Sequence, residues 1–208
     1  MKGLSDGKME DVRWKIVLAS NSPRRKELLG GLDIPFEVRV LDGIDESYPH
    51  DLPTREIAGY ISKKKADAYQ VTMADDELIF TADTIVVLGE EVMGKPVDEE
   101  DARRMLHALS GRTHQVITGV SLTTRERQVC FSVETDVTFK TLTDEEIHYY
   151  ITHYRPFDKA GAYGIQEWIG YIGVTGMNGS YFNVMGLPVQ RIYEALKGFI
   201  SCDGTPNK

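Results

Sequence analysis

Asp83 lies in LIFTADTIVVL, a carboxylate with apolar residues on both sides. Burial there disfavours the charged form and raises the pKa unless a cation or a metal compensates. Two roles fit such a residue: a general base or metal ligand, or a structural Asp satisfied by backbone N–H groups. A second stretch, LASNSPRRKELL, reads as strand, turn and helix start, with Ser22 as N-cap and Pro23 at the first helical position. Arg24 and Arg25 then stand at the positive end of the helix dipole and add to it. Like charges there cost stability unless an anion lies between them, so the arrangement points to a phosphate site. The plain alternative is two solvated arginines on a surface helix.

Other candidates are weaker on spacing alone. Lys95 follows Gly94 and precedes Pro96 in a tight turn, and Lys65 closes the run Lys63-Lys64-Lys65. Most lysine runs are solvated faces. Asp45 and Glu46 occupy a loop after a strand, where hard oxygen ligands for Mg²⁺ or Mn²⁺ often sit, though loop acids are also ordinary solubilising residues. In DKAGAYGIQ, Gly161 and Gly164 permit close backbone approach, and Gln166 offers a paired donor and acceptor able to read a base edge. A glycine-rich turn packed on aromatics accounts for the same residues.

The elements around these residues alternate. KIVLA (15–19) is a strand, PRRKELLGGL (23–32) a helix stopped by Gly30 and Gly31, and FEVRVL (36–41) a strand. A polar loop leads to a helix over 55–70, and residues 78–88 form a buried strand interrupted by the polar Asp83 site. A short strand and turn follow, then a helix over 99–109 capped by Asp98. HQVITGVSLTT and QVCFSVETDVTFK make a hairpin, and Thr143 with Glu146 forms a capping box for a helix over 144–154. GIQEWIGYIGVTG is Gly-rich and aromatic, and a closing amphipathic helix covers 187–200. Interleaved strands and helices give an α/β class, and the hairpin makes the sheet mixed. With no repeat or low-complexity linker, 13–200 reads as one domain, and 1–12 and 201–208 as polar tails.

Composition narrows the function. Of 208 residues, 24 are basic and 32 acidic, a net charge of −8, which disfavours a general nucleic-acid-binding surface. A local positive pocket for a small anion remains compatible with that balance. Cys130 and Cys202 lack metal-ligand spacing, which fits a reducing compartment. No apolar run approaches the roughly 20 residues of a membrane span. The N-terminal stretch has neither a signal-peptide core nor an acid-poor transit composition, so the cytoplasm is the expected location. There is no GxxxxGKS/T, GxGxxG or HExxH motif.

Six motifs occur in order: LASNSPRRKELL, ADTIVVL, GKP, LSGRTHQVITGV, FDKAGAYGIQ and NGSYFNVMGLP. Together they resemble the Maf family of nucleotide pyrophosphatases, from about Lys15 to Leu196. The resemblance implies a three-layer α/β/α fold with a mixed, extended sheet, similar to inosine-triphosphate pyrophosphatases. Two lobes would flank a central groove, usually in a homodimer. It implies hydrolysis of a nucleoside triphosphate to the monophosphate and pyrophosphate with Mg²⁺ or Mn²⁺. Asp83 then matches the proton acceptor and a metal-side residue, and Glu46 the acidic metal-side residue. Ser20, Arg24 and Arg25 match the phosphate-binding signature, and Lys65 and Lys95 the groove lysines. Arg24, Thr84 after Asp83, and Gln166 resemble the specificity residues of the branch acting on dTTP and UTP, rather than of the 7-methyl-GTP branch. Asn21 departs from the small residue often found there. A division regulator that binds nucleotide without turnover is the alternative from another class.

Overall fold

The computed structural model describes residues 14–200; the expected tails at 1–12 and 201–208, and Cys202, lie outside them. Among the described residues, seven strands form one mixed sheet. They are β1 (Lys15–Leu18), β2 (Phe36–Val38), β3 (Glu77–Leu88), β4 (Glu91–Met93), β5 (Thr113–Thr123), β6 (Gln128–Phe139) and β7 (Val174–Asn178). Their order is β2-β1-β3-β5-β6-β7, with β4 also beside β3. β1 runs parallel to β2 and β3, and the remaining pairs are antiparallel. The helices are α1 (Pro23–Gly30), α2 (Thr54–Gln70), α3 (Glu99–Leu109), α4 (Asp144–Tyr154), α5 (Trp168–Gly173), α6 (Tyr181–Met185) and α7 (Val189–Ile200).

Strand alternation sorts these helices onto two faces. Leu78, Phe80, Ala82 and Val86 of β3 join the large core formed with Leu29 of α1, Leu106 of α3, Ile147 of α4 and Ile192 of α7. The intervening Ile85 and Val87 pack instead on Ile57, Ala58 and Ile61 of α2, and Ile79 on Tyr69. The result is the expected three-layer α/β/α arrangement, with α2 covering one face and most other helices the opposite one. Among the described residues, no helix is long and apolar enough to cross a membrane.

The capping chemistry is where the sequence puts it. Asp98 accepts from Asp101 N at 2.8 Å, and both bonds of the Thr143–Glu146 capping box are present. Such caps contribute about 1 kcal/mol each.

Three local expectations need correction. First, α1 stops at Gly30, and Gly31 keeps a right-handed φ of −66°; the left-handed residue is Asp33, at φ 55°. Second, β2 has three residues rather than six. The Tyr69 hydroxyl donates to Arg39 O and accepts from Leu41 N, both at 2.9 Å, and so takes over backbone groups beyond the strand.

Third, β3 is not interrupted at Asp83 but runs through it for 12 residues. The break lies in its neighbours. On one edge β1 pairs only as far as Phe80, and β4 begins only at Val86. Thr81 to Ile85 therefore have no strand partner on that edge, while β5 pairs the other edge without a gap. The Gly-rich aromatic stretch, given no element from the sequence, folds into α5 and β7. Gly170 is required there, because a Cβ would lie 1.9 Å from Ile165 O.

Candidate active site

The gap along β3 opens into a groove of about 700 Å³. Its walls come from the start of α1, the 40–48 loop, α2, the centre of β3, the Gly94-Lys95 turn, and the segment from Asp158 to Gln166. Every site residue expected from the sequence lines it: Ser20, Arg24, Arg25, Glu46, Lys65, Asp83, Thr84, Lys95 and Gln166.

Asp83 lies on the face of β3 covered by α2, and its position there depends on a glycine. Gly119 is its cross-strand partner on β5. A Cβ on Gly119 would meet the Ala58 carbonyl of α2 at 2.3 Å, so α2 sits directly on the strand. Lys65 follows Ala58 by two helical turns, about 10 Å along α2. Its Nζ lies 2.8 Å from Asp83 Oδ1 and 3.0 Å from Glu46 Oε1. The Lys65 and Asp83 side chains are each 14% exposed, so this is a sheltered pair. The compensating cation that Asp83 needs is thus an ammonium from the lysine run. Among the described residues, Asp83 Oδ2 has no hydrogen-bond partner.

The loop bearing Glu46 is tied to the same helix. Lys64 Nζ donates to Asp45 Oδ2 at 2.6 Å and to Ser47 O at 3.0 Å. That hydrogen bond, helped by Ser47 N, holds the Asp45 carboxyl well below its ordinary range. Adjacent lysines therefore hold adjacent acids: Lys64 takes Asp45, and Lys65 takes Glu46.

The two arginines diverge. Arg25 Nε donates to Gly186 O at 2.9 Å, Nη1 to Ala82 O at 2.8 Å, and Nη2 to Thr84 Oγ1 at 3.1 Å. Burial pushes its guanidinium down from the ordinary value, while Asp83 acts the other way. It remains a cation, since arginine titrates far above neutrality. Arg24 Nη1 instead reaches across the groove to Asp158 Oδ2 at 2.9 Å. Ser22 caps α1 through Arg25 N, and the buried Ser20 accepts from Ser22 N at 3.2 Å.

Thr84 follows Asp83 on a strand and so points to the opposite face, where it also bonds Thr118 Oγ1 at 3.0 Å. Lys95 is exposed on the groove wall, and among the described residues it has no ion-pair partner.

Among the described residues, the Gln166 amide oxygen is buried and has no hydrogen-bond partner. Beside it is a set of residues that sequence reasoning did not assemble. Lys159, only 7% exposed, pairs with Asp158 at 2.7 Å and with Glu167 at 3.0 Å. Tyr150, from α4, donates to the other Glu167 oxygen and accepts from Gly164 N at 3.0 Å. Burial, followed by Glu167, pushes the Tyr150 hydroxyl well up. Burial pushes the Asp158 carboxyl up, but hydrogen bonds from Lys159 and Arg24 outweigh it and the net shift is down. No spacing links Tyr150 to Glu167; only the packing of α4 brings them together.

Among the described residues, no group of three or more His, Cys, Asp or Glu gathers as a metal cluster. Glu46 and Asp83 do converge on one cation, the Lys65 ammonium. Two carboxylates suffice for Mg²⁺, which usually takes one or two together with substrate phosphates and water. The donor set therefore fits a divalent ion delivered with a phosphate ligand.

The comparisons with known proteins span most of the described residues. The family model described as Maf-like protein matches residues 15–199. A relative from Parabacteroides distasonis, named dTTP/UTP pyrophosphatase, is 63% identical over 187 residues, covering 90% of this chain and 97% of its own. Another of the same name, from Phocaeicola vulgatus, is 65% identical over 185 residues, covering 89% and 96%. Among solved structures, the Ham1 protein of Staphylococcus aureus aligns at 15% identity and a TM-score of 0.46, covering 88% of this chain and 98% of its own.

Proposed function

This chain belongs to the Maf-like protein family, and from that membership and the groove together we propose that it is a nucleoside triphosphate pyrophosphatase acting on dTTP and UTP. The observation that carries this reading is the shared Lys65 ammonium between Asp83 and Glu46, at the gap in β3, in a groove that Arg24 and Lys95 also line. Carboxylates for a base and a metal, with cations lining the same groove, suit phosphoanhydride hydrolysis.

The triphosphate lies in the groove with its charge spread over Lys65, Lys95, Arg24 and the Ser22-capped start of α1. Asp83 takes a proton from a water molecule as that water attacks the α-phosphorus. The bond from the α-phosphorus to the bridging oxygen breaks, and pyrophosphate leaves with the electron pair. Groove cations offset the negative charge growing on that oxygen, often the largest contribution to catalysis. Glu46 and Asp83 would hold Mg²⁺ or Mn²⁺, which when bound neutralises phosphate charge. Arg25, with three donors already used inside the protein, braces the wall rather than reaching into the groove. Gln166 lines the groove, and this supports base recognition, because an amide side chain can pair with the N3–H and carbonyl of uracil or thymine. A cytoplasmic homodimer is part of the same proposal.

The test is pyrophosphate release from dTTP, UTP, CTP, GTP and 7-methyl-GTP with Mg²⁺ or Mn²⁺. Fast turnover of dTTP and UTP alone is expected. Tight binding without turnover would move the protein to the regulator reading.

A further inference from the structure

A glutamine side chain does not choose between pyrimidines by itself. Its amide presents a donor and an acceptor, and a half turn exchanges them. One orientation suits the N3–H and carbonyl of uracil or thymine, and the other suits the N3 and amino group of cytosine. Selectivity therefore depends on how firmly the backbone carrying the amide is placed against the base.

The segment carrying Gln166 is held from both ends. Gly164 N donates to the Tyr150 hydroxyl, and that hydroxyl donates to Glu167. Glu167 N closes the turn on Gly164 O at 3.0 Å. The second Glu167 oxygen pairs with Lys159. Tyr150 is fully buried on α4, which gives the clamp a rigid base. Gly164 has little room for a side chain, since a Cβ would lie 3.0 Å from Glu167 Cδ and 3.1 Å from Lys159 Cε.

Lys159 borders the groove, and its charge is shared by Asp158 and Glu167. A buried ammonium is costly unless paired in this way. Its other partner, Asp158, is the group that orients Arg24. A continuous polar chain thus runs from Arg24 through Asp158, Lys159 and Glu167 to Tyr150.

We infer that Tyr150, Lys159 and Glu167 are positioning residues for base selection: they hold the backbone turn that presents Gln166 to the groove and tie it to Arg24. This inference rests on the dTTP/UTP reading above. It is tested by kcat and KM for dTTP and CTP in wild type, Tyr150→Phe, Lys159→Met and Lys159→Arg, with thermal melting as the fold control. Tyr150→Phe removes one oxygen atom and serves if Lys159→Met does not fold. The expected result is a dTTP-to-CTP ratio of kcat/KM reduced about tenfold or more in Tyr150→Phe and Lys159→Met, as a buried hydrogen-bonding site predicts. The loss should come through KM, pyrophosphate should inhibit Tyr150→Phe as it does wild type, and Lys159→Arg should restore much of the ratio. An unchanged ratio in folded variants of a selective enzyme would overturn the inference alone. A wild type with no pyrimidine preference would overturn the functional reading and the inference together.

Discussion

Asp83 and Gly119 are cross-strand partners, and the backbone of α2 rests directly on Gly119. That contact sets how close Lys65 comes to the carboxylate, because both α2 anchors, Ala58 and Lys65, lie on one rigid helix.

Gly119→Ala should therefore damage both stability and activity. The added methyl has no space against Ala58 O, and such overpacking costs about 1–3 kcal/mol. The expected outcome is a lower urea midpoint, together with a fall in kcat larger than the loss of folded protein explains. Wild-type turnover in this variant would show that the seat of α2 does not set the site.

Asp83→Asn keeps the shape of the residue and an acceptor for Lys65 but removes the base. Turnover should fall by roughly 10²–10⁴-fold, the usual range for general-base help. Circular dichroism and melting should stay near wild type. Near-normal pyrophosphate release would remove Asp83 from its role.

Chelation should abolish pyrophosphate release, and Mg²⁺ or Mn²⁺ should restore it. Glu46→Gln weakens one of two carboxylates, so the metal concentration giving half-maximal rate should rise about tenfold, while a nearby control acid such as Asp51→Asn leaves it unchanged. Equal metal requirement in wild type and Glu46→Gln would place the ion elsewhere.

His114 makes stability depend on pH. It is fully buried, with Nε2 2.8 Å from the Tyr163 hydroxyl and Nδ1 without a partner. Burial lowers its pKa to about 4, with Asp136 acting weakly against that shift. The unfolded chain, titrating near pH 6.5, binds this proton first, so stability is complete above that pH and is lost as pH falls toward 4. Between pH 7 and 5 the loss is on the order of 2 kcal/mol. Urea titrations at the two pH values should show it in wild type, and His114→Gln should flatten the dependence.

Much of this architecture was legible because local rules decide it. The caps at Ser22, Asp98 and Thr143 follow from side chains a few residues from their targets. The long strands follow from apolar, β-branched runs. What escaped the sequence depends on distant contacts. The Tyr69 hydroxyl shortens β2 from about 30 residues away. The gap along β3 arises from where β1 and β4 stop, not from anything in β3 itself. Arg25 and Arg24 are adjacent and chemically alike, yet one braces backbone carbonyls and the other meets Asp158. The Tyr150–Glu167–Lys159 chain likewise joins residues whose proximity exists only after α4 has packed.

The unpaired stretch of β3 has a consequence for solubility. A bare strand edge is a template for a neighbouring chain to add a strand, and proteins blunt such edges with charge. Here the guanidinium of Arg25 occupies the Ala82 carbonyl, while Lys65 and Asp83 place charge at the centre of the open edge. The groups arranged around a phosphate-sized opening thus also act as gatekeepers, keeping a buried apolar strand from templating self-association along its unpaired stretch.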